Sequence, residues 1–80
     1  MLDNTFYLYA RFKGSDTSKY FTSNKNYLLE VRIGRFKNQR VKITHTEADG
    51  TKYEGSERRY ESKAEFEKTW KVIRDVTQEM

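Results

Sequence analysis

Two stretches of this chain alternate apolar and polar side chains with a period of two, and they restrict the possible folds more than any other feature. In residues 5–13, Phe6, Leu8, Ala10 and Phe12 share one face, while Tyr7, Tyr9, Arg11 and Lys13 share the other. In residues 27–33, Tyr27, Leu29, Val31 and Ile33 alternate with Leu28, Glu30 and Arg32. Successive side chains of a strand point to opposite faces, so a period of two predicts a half-buried strand. The pattern resumes at Val41 and Ile43, with His45 continuing inward and Arg40, Lys42, Thr44 and Thr46 outward. Residues 27–46 therefore read as a hairpin that turns at 35–39. Gly14-Ser15-Asp16 ends the first strand, and 15–24 form a long loop in which Asn24 suits a left-handed turn position.

The second half is less regular. Ala48-Asp49-Gly50-Thr51 predicts a hairpin turn, because Asp-Gly accepts positive φ. A polar fourth strand should follow from about Thr51 to Gly55, running on toward Tyr60, with Gly55 at a bulge or bend. Ser62-Lys63-Ala64-Glu65 is a capping box, so a helix starts at Ser62. Two readings of the end stay open. In one the helix is short and Trp70–Ile73 is a fifth strand. In the other, Phe66, Trp70, Ile73 and Thr77 lie on one face of a helix over 62–78. The first gives a mostly β protein, a small antiparallel SH3-like barrel of about five strands with a short helix near the C-terminus. The second gives an α+β fold, a curled antiparallel sheet covered by a C-terminal helix.

Eighty residues make a single small domain over 1–80, with 1–4 and 75–80 as flexible ends. Only 35% of the residues are apolar and 35% are charged, a balance close to that of disordered chains. Five Phe, six Tyr and one Trp compensate, since each aromatic buries roughly 150–250 Å². The absence of cysteine excludes disulfides, thiolate metal sites and cysteine nucleophiles, and for a domain this small it points to the cytoplasm. No signal peptide or membrane span is expected. The four glycines form no phosphate-binding loop, so no nucleotide cofactor is expected. The single histidine speaks against zinc, and the acidic run from Glu47 to Glu67 lacks the spacing of a calcium loop, so no metal is expected.

The order of elements carries a resemblance. An aromatic strand ends at Gly14, and Phe21-Thr22-Ser23-Asn24-Lys25-Asn26-Tyr27 leads into a second strand. Tyr60-x-Ser62 then precedes Phe66-x-x-x-Trp70-x-Val72-Ile73. Over about residues 6–73 this resembles small SH3-like β-barrel proteins encoded by phages and prophages. The chain departs from that pattern at Asn24, where Gly is expected, and it lacks the proline and acidic-loop signature of peptide-binding SH3 domains. The resemblance implies a short helix at 62–68, a closing strand at 70–73, and a non-enzymatic accessory factor that docks on a host protein in the host cytoplasm and alters its activity.

Charge is unevenly spread. Residues 1–46 hold nine Lys/Arg against three Asp/Glu, and residues 47–80 hold seven against nine. Arg32, Arg35, Lys37, Arg40 and Lys42 stand around one turn with no acid from 32 to 45, and Phe36 lies among them. Guanidinium forks and ammonium groups hold phosphates, and an aromatic ring stacks on a base. Arg32, Arg35, Phe36, Lys37, Arg40 and Lys42 are therefore candidate nucleic-acid contacts. Tyr and Arg are also enriched at protein-binding hot spots. Tyr7, Tyr9, Arg11 and Tyr20, with Arg35, Phe36, Lys37 and Arg40, form the candidate protein-binding surface. The bland alternatives are half-buried packing for the tyrosines and a solvated hairpin for the cations. Catalysis rests only on His45 with Arg58-Arg59 and Glu57 or Glu61, the outline of a small nuclease, and no catalytic residue is assigned.

Overall fold

The computed structural model describes residues 3–14, 20–34 and 40–79. Five strands run in the order β1 (Asp3–Phe12), β2 (Asn26–Gly34), β3 (Val41–His45), β4 (Arg58–Tyr60) and β5 (Trp70–Asp75). The single α-helix, α1 (Lys63–Thr69), sits between the last two strands, and a 3₁₀ turn spans Thr77–Glu79. All pairings are antiparallel, and the sheet order is β4-β3-β2-β1-β5.

Alternation sets the register. Phe6 lies opposite Val31, Leu8 opposite Leu29 and Ala10 opposite Tyr27. Leu29 and Val31 face His45 and Ile43 in turn. A one-residue slip would turn every one of these side chains to the other face, so the buried face fixes the pairing. Phe12 and Trp70 are opposite each other across β1 and β5, with ring centroids 5.0 Å apart. Phe21 stands edge-on to Trp70 at 4.8 Å. Trp70 is fully buried, and its indole N–H donates to the Tyr60 hydroxyl at 2.8 Å, which meets the polar requirement of a buried indole. Phe66 of α1 closes the core from above.

The five antiparallel strands and the short helix agree with the first reading of the sequence, and the long C-terminal helix is overturned. Ser62 caps α1 by accepting from the Glu65 N–H at 3.2 Å, as the capping box predicts. Trp70 then leaves the helical region at φ −127°, ψ 139°. Continuing the helix would withdraw Trp70 from Phe12 and leave β1 without its second neighbour. Long-range burial therefore outweighs the helical spacing of Phe66, Trp70, Ile73 and Thr77.

Closure of the barrel is also corrected. The sheet curls but does not close, because its edge strands β4 and β5 are not paired with each other. β4 has only three residues, and α1 occupies the connection between the two edges. The expected strand at 51–55 is reduced to one bridge, Thr46 to Lys52, and the ladder begins only at Arg58. Gly55, at φ 81°, turns the chain there, and Ser56 packs beneath it by donating to the Tyr53 carbonyl and accepting from the His45 N–H.

The outer face carries a smaller second layer. Leu28 and Val76 are buried there. The Val76 N–H donates to the Tyr7 carbonyl at 2.8 Å, and Thr77 Oγ1 accepts from the Tyr7 N–H at 3.0 Å. The chain after β5 is thus tied to β1 through Val76 and Thr77.

Candidate functional site: a charged groove on the outer face

The outer face of β2, β3 and β4 carries a transverse row of cations. Arg32 lies opposite Lys42, and Lys42 lies opposite Arg59. Like charges placed directly opposite across an antiparallel pair are destabilising, so folding alone does not explain the row. With Arg40 and Val41 these three side chains line a shallow groove of about 230 Å³.

Acids meet each of the cations. Glu30 Oε1 accepts from Arg32 Nε at 3.1 Å and lies 3.2 Å from Lys52 Nζ. Glu57 Oε2 accepts from Arg59 Nε at 3.0 Å, and Glu57 Oε1 lies 3.8 Å from Lys42 Nζ. Arg40 Nε and Glu61 stand 3.9 Å apart, with both side chains mostly in water. Such surface pairs contribute only about 0–1 kcal/mol and exchange readily for a partner's charge.

Glu30 differs from the other acids because its side chain is 6% exposed. Tyr7 donates its hydroxyl to Glu30 Oε2 at 3.2 Å. Burial pushes the Glu30 carboxyl up, but the hydrogen bond and charge of Lys52, the charge of Arg32 and the Tyr7 hydroxyl outweigh it and hold the group below its ordinary value. Burial first, then the Glu30 charge, raises the Tyr7 hydroxyl. Among the described residues no buried side-chain polar atom lacks a partner.

The remaining candidates fall in different places. Tyr9 is exposed on the outer face near Arg74 and Glu79, and Arg11 donates from Nε to Asn26 Oδ1 at 3.2 Å farther along β1. Tyr20 lies on the opposite side of the sheet, where its hydroxyl and His45 Nδ1 share a 2.7 Å hydrogen bond. Tyr20 therefore does not share a surface with Tyr7, Tyr9 and Arg11. Arg35, Phe36 and Lys37 lie outside the described residues.

His45 sits in an aromatic cluster. Tyr53 stacks on it at 4.2 Å and 17°, and Tyr53 donates its hydroxyl to Glu47 Oε1. Alternation along β4 sends Arg58 to the inner side, where its guanidinium lies over Phe21, and Arg59 to the outer side. The imagined grouping of His45 with both arginines is thus divided between two faces.

Arg59 and its brace Glu57 were missed as members of the cationic group, as was the Tyr53–His45 stack. A signal for the first was present in the chain. Glu30-x-Arg32 and Glu57-x-Arg59 repeat one spacing, and a two-residue step keeps both side chains on one face of a strand.

Fold and groove together define a small curled antiparallel sheet with a mixed-charge groove on its outer face. No family model, curated protein or solved structure matches the chain.

Proposed function

We propose that this chain is a non-enzymatic binding module that docks on a host protein and modulates or inhibits it, in the manner of a phage accessory factor. The observation that carries this reading is the charge pattern of the groove. Arg32, Lys42 and Arg59 cross three strands, with Glu30 and Glu57 set between them. A patterned surface of this kind suits a protein partner with discrete charges and repels wrong partners. A nucleic acid presents about one negative charge per 1.7 Å and would meet the glutamates as well as the cations. The resemblance to phage-encoded barrels supports the same reading.

Nucleic-acid binding is the second reading. The three-cation row favours it, extended in sequence by Arg35, Phe36, Lys37 and Arg40.

The two separate in one experiment. The full chain is cross-linked in bacterial lysate beside a variant carrying Arg32→Glu, Lys42→Glu and Arg59→Glu, with and without nuclease. Docking on a protein predicts specific partners that survive nuclease and disappear with the charge-reversed variant. Capture abolished by nuclease turns the assignment to nucleic acid. Identical capture by both forms removes the groove from either role.

A further inference from the structure

The two arginines at the ends of the row are held in the same way. Each donates through Nε to a glutamate two residues earlier in the chain, Arg32 to Glu30 at 3.1 Å and Arg59 to Glu57 at 3.0 Å. A guanidinium is planar and rigid, so fixing Nε also fixes the direction of its two terminal nitrogens. Among the described residues those terminal nitrogens form no hydrogen bond in either arginine. Lys42 lies between the two forks in register.

The braces are themselves secured. Glu30 is buried and held by Tyr7 and Lys52, so it stays in place and its charge is shared with a second cation. Glu57 is half-exposed and is shared between Arg59, through the 3.0 Å hydrogen bond, and Lys42 at 3.8 Å, so it holds its arginine less firmly than Glu30 does. Four cations, Arg32, Lys42, Lys52 and Arg59, face two carboxylates, which leaves the group two positive charges in excess around two forks oriented through Nε.

We infer that Arg32 and Arg59 are a braced pair of guanidinium forks that receives carboxylate side chains from an acidic segment of the partner protein, with Lys42 between them. This rests on the docking reading above. The small net charge matches one or two carboxylates, and a fork pairs with a carboxylate through two parallel hydrogen bonds. Glu30 and Glu57 act as positioning residues, and their acidity works against the very ligand whose site they order.

The test uses that opposition. The probe is a capped hexapeptide of alternating glutamate and glycine, titrated at low salt into the ¹⁵N-labelled full chain while the arginine Nε–H signals are followed. The Arg32 and Arg59 signals should shift together and saturate. Arg32→Lys or Arg59→Lys keeps the charge and should weaken binding about tenfold. Glu57→Ala removes a negative charge from an exposed position, so simple attraction predicts tighter binding, whereas loss of the brace predicts weaker binding. Tighter binding by Glu57→Ala overturns the inference. So do unchanged affinity in both lysine variants, no binding of the peptide, or stronger binding of an oligothymidylate of equal charge. Partner capture from lysate that persists in the lysine variants leaves the docking reading standing while the fork assignment falls. Capture that survives charge reversal defeats the docking reading on separate grounds.

Discussion

His45 shows how one side chain couples packing to solution conditions. It lies half-buried between Tyr20 and Tyr53, and burial lowers its pKa while the charge of Glu47 partly offsets the effect. The folded state therefore resists a proton that the unfolded chain accepts near pH 6.5. Stability should be undiminished above the ordinary histidine range and should decline as pH falls through it. The decline levels off below the depressed folded value. Urea unfolding between about pH 7.5 and pH 5 should show this loss, and His45→Gln should flatten it. Glu30 acts at lower pH and in the same direction. Its carboxyl is held down in the folded state, so its contribution is present above the ordinary glutamate range and disappears as pH falls through the folded value. At this scale the sequence was only partly legible. Tyr7 alternates outward as read, but nothing in the chain says that its hydroxyl ends on Glu30, because that pairing is made between strands. Tyr20 was grouped with Tyr9 by residue type, whereas its hydroxyl bonds His45 on the other side of the sheet.

The turns join the elements at tight tolerances. Gly14 sits at φ 89°, and a Cβ placed there would come within 2.1 Å of Ser23 Oγ. Gly50 has a similar φ of 92° with open space around it. Gly50→Ala therefore reports backbone strain alone, of roughly 1 kcal/mol, and Gly14→Ala adds the displacement of Ser23 to the same strain. Urea midpoints should rank the wild type above Gly50→Ala and that above Gly14→Ala. Equal midpoints for the two variants would show that Ser23 moves aside at no expense. β1 and β2 were legible because the inward positions from Phe6 to Phe12 and from Tyr27 to Ile33 are all apolar or aromatic. β4 was placed too early, because residues 51–57 have no apolar alternation and the ladder waits for Arg58. Residues 70–75 fitted both periods, and the choice fell to Phe12, which is 58 positions away and has no local signature.

In the whole molecule the groove arises from topology. Arg32 and Lys42 are close in sequence and were read together, whereas Arg59 reaches them only because β4 returns alongside β3. The curl without closure leaves β5 as an edge strand, with Val72 and Ile73 partly in water. Lys71, Arg74 and the irregular pairing between Tyr9 and Ala10 guard that edge, as charges and bulges do in natural sheets. Among the described residues no helix is long and apolar enough to cross a membrane.

The place of β1 between β2 and β5 has a consequence for biosynthesis. The first strand made is bordered by the last, and the indole that seals the interior is Trp70. A nascent chain held on the ribosome before residue 75 has emerged lacks one flank of β1. Such an arrested chain should be digested rapidly by a protease, while one extended by a long linker should resist, so the sheet completes only once residue 75 has cleared the ribosome.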